Sequence, residues 1–180
     1  VSRSTIFNDM KIVKSDFEQA GIMLESKPRY GFQLSAPERR LRAKLVAIML
    51  EILPANEFIS YMRDKQNLCH RSITKIRCLK VFKSLDLAEI FRVTQRLEEK
   101  LGVLWSDQSF TRIAYTIAAC FLRKKNKHRI NFSLEQLNMI ENSRDHGLVC
   151  KVLTADSTRS NREFSRKEIA LITLMILCAD

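Results

Sequence analysis

The chain has few of the residues that interrupt helices: four glycines and three prolines in 180 residues. That scarcity argues against a turn-rich β fold and favours a mainly helical one. Long apolar runs are missing too. The longest nearly apolar stretch, Ile169 to Ala179, covers eleven residues, too few to span a bilayer and suited to a buried core helix. The five cysteines, Cys69, Cys78, Cys120, Cys150 and Cys178, contain no C-x-x-C spacing. They read as small buried hydrophobes in a reducing compartment, which sets the expectation of a cytoplasmic protein without a disulfide framework or metal site. Cys69 and His70 are neighbours, which is poor chelating geometry without further ligands. There is no Gly-rich phosphate loop, and Ser133 and Ser165 have no histidine at a recognisable spacing. Asp107, Glu135 and Glu168 read as helix-start carboxylates favoured by the macrodipole, not as an acid–base pair. The expectation is a non-enzyme without cofactor or metal. No secretory leader is visible, and a chain that opens on Val is expected to be a piece of a longer protein.

Positive charge is what the chain has in excess. Lys and Arg number 31 against 20 Asp and Glu, a formal net charge of +11. The excess is uneven: +1 over residues 1–36, +7 over 37–83 and +3 over 84–180. Such a balance fits an anionic partner such as nucleic acid. At 46% hydrophobic residues the chain can also bury a sizeable core.

The opening VSRSTIFNDM has the pattern of a recognition helix. Ser2 is a good N-cap, and Ile6, Met10, Val13 and Phe17 recur on one helical face. The other face carries Arg3, Ser4, Asn8, Lys11 and Lys14, donors suited to base edges and phosphates. Gly21 can stop this helix. Residues 22–26 and 32–35 can pair as a hairpin across the basic turn KPRYG. A helix followed by a two-stranded wing is the second half of a winged helix. On that reading Ser2, Arg3, Ser4, Asn8 and Lys11 face a major groove, and Lys27, Arg29 and Tyr30 sit at the wing near phosphates or a minor groove.

Next, Ser35 and Glu38 have capping-box spacing, and Leu41, Leu45, Ile48 and Ile52 predict the inner face of a helix that Pro54 ends. Its outer face is Arg39, Arg40, Arg42 and Lys44. Short helices are expected over 58–62 and 73–82, and residues 37–83 read as a basic helical linker. From residue 86 the pattern is regular. Asp86 with Glu89 caps a helix with apolar positions Leu87, Ile90, Thr94, Leu97 and Leu101, and Gly102 ends it. Ser106 caps a second, with Phe110, Ile113, Ile117 and Phe121 inside. Ser133 with Gln136 opens a third, and a fourth spans 143–154. Ser165 with Glu168 opens a fifth that is apolar nearly all round, and hence expected at the centre of the bundle. Domains are therefore expected at 1–36, 37–83 and 84–180.

Taken together these residues resemble a family of bacterial sugar-operon regulators that carry a phosphotransferase-system regulation domain. It includes mannitol- and lichenan-type activators and related virulence regulators. VSRSTIFNDMKIVK and RYGFQLSAPERRLR resemble the end of the second winged helix in such activators. RLEEKLGVLWSDQSF, FLRKKNKHRI and FSRKEIALITLMIL resemble one five-helix regulation domain. The resemblance implies a DNA-binding transcription regulator that pairs as a homodimer and makes no membrane contact. Two alternatives stay open: an RNA-binding antiterminator of the same family, and a pure protein-interaction module.

The chain departs from the family's usual phosphorylation positions. Aligned on FTRIAYTIAACFLR and KEIALITLMIL, the two customary histidines fall at Thr116 and Met175. Neither residue can accept a phosphoryl group as imidazole does. The three histidines present, His70, His128 and His146, match neither motif.

Overall fold

The computed structural model describes residues 2–63, 84–124, 128–160 and 163–179, without the side chains of 124 and 156–160. These residues form eight helices and one two-stranded antiparallel sheet. The short helix expected over 73–82, with Cys69, His70 and Cys78, lies outside them.

Helix α1 spans Arg3–Gln19 and no residue of it is buried. Its C-terminus closes as a Schellman motif. Gly21, at φ 67°, donates to the Glu18 carbonyl at 2.8 Å, and Ile22 donates to that of Phe17 at 2.9 Å. Ile22 is itself buried. Strands β1 (Met23–Lys27) and β2 (Gly31–Ser35) then pair with Lys27 opposite Gly31. The Tyr30 N–H closes on the Lys27 carbonyl at 3.1 Å. Pro28 precedes Arg29, which has φ 68°, the sequence and backbone of a type II turn.

Helix α2 (Glu38–Ile52) and helix α3 (Ala55–Arg63) follow. The expected capping box is not formed: the N-cap position falls on Pro37, whose side chain has no acceptor, and the Glu38 carboxylate turns to Arg42 and Arg123. Its buried face is also rotated from the expected one. Arg42, Val46 and Met49 are buried, whereas Leu41, Leu45, Ile48 and Ile52 are only half-buried. The rotation brings a charged residue into the interior, where a carboxylate of its own helix, Glu38, and one from far along the chain, Glu168, meet it. A hydrophobicity pattern assigns that position outward.

Helix α4 spans Leu87–Leu101, α5 Asp107–Lys124, α6 Leu134–Glu141, α7 His146–Ser160 and α8 Arg166–Leu177. Their starts follow the sequence. Asp86 accepts from the Glu89 N–H, Ser106 from that of Ser109, and full capping boxes form at Ser133/Gln136 and Ser165/Glu168. Gly102 ends α4 in the left-handed region. Leu87, Ile90, Thr94 and Leu97 are buried as the periodicity predicts.

The element at the centre is α5, not α8. Ile113, Ala114, Tyr115, Ile117, Ala118 and Ala119 of α5 are completely buried. Helices α2, α3, α4 and α8 all pack against it. The three alanines, Ala114, Ala118 and Ala119, let neighbours approach closely while the isoleucines fill the gaps. Helix α8 buries Ile169 through Thr173 and Ile176, but Leu174 and Met175 are half-buried and Leu177 is exposed. Phe58 of α3 meets Phe91 of α4 edge-on at 6.0 Å and Tyr115 of α5 at 5.1 Å. The Tyr115 hydroxyl donates to the Leu53 carbonyl at 2.8 Å, satisfying the end of α2. Glu38–Arg63 is thus part of the same core as 84–179, which the reading of 37–83 as a linker does not anticipate.

Candidate nucleic-acid interface

The residues expected to contact nucleic acid fall on two neighbouring elements, α1 and the β1–β2 turn. Ser2 caps α1, its hydroxyl accepting from the Thr5 N–H at 3.1 Å. That hydroxyl also bonds those of Ser4 (2.7 Å) and Thr5 (2.8 Å), so the three form a local cap network. Ser2 is thus the N-cap that the sequence predicts, and Ser4 shares its network, a role beyond the contact role expected of it. Arg3 and Asn8 are exposed along the helix. Lys11 lies over the Phe7 ring at 4.8 Å, which holds the ammonium on the helix surface. Lys14 pairs with Glu18 at 3.7 Å across one exposed turn. At the other end of the unit, Lys27 closes β1, and Arg29 and Tyr30 occupy the tip, Tyr30 being 89% exposed.

The apolar positions of α1 have little cover, Met10 and Phe17 being half-buried and the rest exposed. Ile6, Phe7, Ile12 and Val13 are exposed, as are Met23, Phe32 and Leu34 of the hairpin. An isolated hairpin is marginal in water. Here it is anchored by Ile22 and by α1, and α1 is tethered to α2. Arg40 donates to the Gly21 carbonyl at 3.2 Å, Lys44 pairs with Asp16 at 2.6 Å, and Lys44 also lies 5.7 Å from the centre of the Phe17 ring. These tethers were not legible as such. Sequence placed Arg39, Arg40, Arg42 and Lys44 on a solvated outer face, yet each is engaged within the chain. Arg39 stacks over Phe132 at 4.7 Å.

Arg42 goes furthest. Its side chain is 2% exposed and donates to Glu38 (3.0 Å), Glu168 (3.3 Å) and the His128 carbonyl (3.2 Å). Arg123 grips Glu38 bidentately at 2.8 and 2.7 Å. Glu168 in turn accepts from the Ser165 N–H and hydroxyl, both at 2.9 Å. The network ties α2, α5 and the start of α8 together. Burial works against the charge on Arg42, but Cys120, Glu38 and Glu168 outweigh it and hold its pKa above the ordinary value. Burial likewise opposes ionisation of Glu38, but hydrogen bonds from Arg123 and Arg42 outweigh it and hold that carboxyl below the usual range. Burial pushes the Cys120 thiol up to about 12, so it is neutral at ordinary pH and charged only in the alkaline range where Arg42 itself would titrate.

The two positions aligned with the customary histidines come together. Thr116 on α5 and Met175 on α8 line one cleft of about 300 Å³, with α2 as its third wall. Thr116 is 4% exposed and its hydroxyl donates to the Arg112 carbonyl at 2.9 Å. His128 is exposed in the loop before α6. His146 begins α7, with Nδ1 3.2 Å from the Thr173 hydroxyl. Because that hydroxyl donates to the Ile169 carbonyl, the Nδ1 carries the proton. His70 lies outside the described residues. Among the described residues no group of three or more His, Cys, Asp or Glu side chains could hold a metal. No single described helix is long and apolar enough to cross a membrane. No family model matches the chain, and no curated protein matches it either.

Proposed function

We propose that residues 1–36 are the DNA-contacting half of a winged helix and that the helices behind them form a phosphotransferase-regulation-type bundle. The protein is then a transcription regulator of a sugar-utilisation or related operon. The observation that carries the reading is α1 itself: a seventeen-residue helix that buries none of its residues and is followed at once by a hairpin with a basic, solvent-facing tip. A helix with so little packing of its own has little reason to persist unless its faces serve other partners. The Arg3, Asn8 and Lys11 face suits the floor of a major groove. The Ile6 and Val13 face suits the remaining helices of a winged helix. Arg40 and Lys44 hold the unit on the bundle. A recognition helix reading a two-fold operator works as one of a pair, so the intact protein acts as a homodimer. An antiterminator would instead begin with a small β-rich RNA-binding domain, which the α1–hairpin unit does not resemble. The exposed apolar stripe of α1 also favours a second reading, a protein-interaction module in which that stripe meets another polypeptide.

Selection from a random duplex library with the intact protein tests the proposal. Enrichment of a two-fold motif is expected. Arg3→Ala should then cost about 1–3 kcal/mol on the selected site and little on random DNA. The present chain alone is expected to bind duplexes weakly, without sequence preference and with steep salt dependence. No enriched motif, with a protein partner retained through α1, would establish the interaction-module reading instead.

A further inference from the structure

We propose that the cleft between α2, α5 and α8 is a binding site for a small organic carboxylate with a short apolar body. Its walls are apolar: Val46 and Leu50 from α2, and Met175 from α8, stand among the residues facing it. At about 300 Å³ it lies at the small end of ligand pockets. The charge at its rim has one sign. Among the described residues Arg39, Arg42 and Arg112 line it, and no carboxylate does. Arg42 is already neutralised by Glu38 and Glu168, and Arg39 is stacked on Phe132. Arg112 is the exposed guanidinium left over, on the helical turn preceding Thr116. A planar fork of donors above an apolar floor recognises a carboxylate bidentately while the floor takes its hydrocarbon. Thr116 gives its proton to the Arg112 carbonyl, so its oxygen can only accept. It offers the head group no donor, which leaves the anion to the arginines at the rim. This inference stands apart from the DNA reading and would survive its failure.

The test uses the full chain with ¹³C-methyl methionine, which places one of six labels at Met175 inside the cleft. Octanoate is titrated in, with octylammonium as the opposite charge and acetate as the head without the body. The Met175 methyl signal is expected to shift saturably with octanoate, with a Kd of about 1 mM or tighter. Acetate is expected not to move it, and octylammonium to bind at least about ten-fold more weakly. Arg112→Gln should weaken octanoate about ten-fold or more while leaving the other methionine signals in place. Ala47→Phe, which fills the cleft, should abolish the shift. An absent or unsaturable Met175 response overturns the proposal. So does equal binding of octylammonium, or octanoate binding that Arg112→Gln leaves unchanged.

Discussion

Arg42 shows why a single residue decides how the segments meet. Its guanidinium is too costly to bury alone, so its position is tolerable only where Glu38, Glu168 and the His128 carbonyl converge on it. Removing one partner leaves a buried charge uncompensated, and Glu38→Gln is expected to cost about 3 kcal/mol at neutral pH. The same carboxylate makes stability depend on pH. The folded pKa of Glu38 lies below its ordinary value of 4.5. Its contribution is therefore fully present above that value and is lost as the pH falls toward and through the lower folded one. Chemical denaturation from pH 7 to pH 3 should show the wild type losing its advantage over Glu38→Gln below about pH 4.5. A constant gap across that range would mean that Glu38 does not carry the acid sensitivity.

Among the elements, the hairpin is the one whose form says most about use. Its tip holds Arg29 at φ 68°, a backbone region where glycine is comfortable and arginine is strained by roughly 1 kcal/mol. Pro28 before it suits the first central position of a type I or a type II turn, and the type II form adopted here puts the strain on residue 29. A strained cation at an exposed tip is what a phosphate-contacting wing would retain. Arg29→Gly should raise the stability of the chain by up to about 1 kcal/mol in thermal melts. It should at the same time lower the affinity of the intact protein for duplex DNA and reduce the salt slope by about one. Stabilisation without any change in DNA binding would assign the arginine no role there. The apolar face of α4 teaches a different lesson. Leu87, Ile90 and Leu97 are used up against α5 and α7 within the chain. A homodimer would therefore have to draw on surfaces other than these residues.

For the molecule as a whole, one core runs from α2 to α8 with α1 and the hairpin held on its outside by Arg40 and Lys44. The cleft that contains Thr116 and Met175 is part of that core's surface, and no imidazole lines it among the described residues. Incubation with phosphoenolpyruvate and the general phosphocarrier proteins should therefore leave residues 84–180 unlabelled, as read by mass spectrometry that preserves phosphohistidine. Thr116→His should restore labelling if the groove is otherwise intact. Stoichiometric label on His128 or His146 of the unaltered chain would overturn the alignment of both positions. Sedimentation of the intact protein at tens of micromolar should show a dimer, and a monomer there would count against paired recognition helices.

Local chemistry settled the elements. Ser2, Asp86, Ser106, Ser133 and Ser165 start helices where their side chains capture free backbone N–H groups, and Gly21 and Gly102 stop them where only a left-handed residue fits. Those interactions span a few residues, so they can be read from neighbours in the chain. The contact residues proposed on α1 and at the hairpin tip were legible for the same reason, since exposure and charge at helical spacing need no distant partner. What only the tertiary structure decided is how the faces are used. Glu38 takes part in no capping box, since the N-cap falls on Pro37, and its carboxylate pairs with Arg42 and Arg123. The four cations of α2 are engaged within the chain, Arg42 alone fully buried, because their partners, Gly21, Asp16, Phe132 and Glu168, come from elsewhere in the chain. The central position went to α5 and not to the more apolar α8, because its small residues allow four helices to close on it. Burial of charge depends on pairing at long range, and periodicity along the chain carries no record of it.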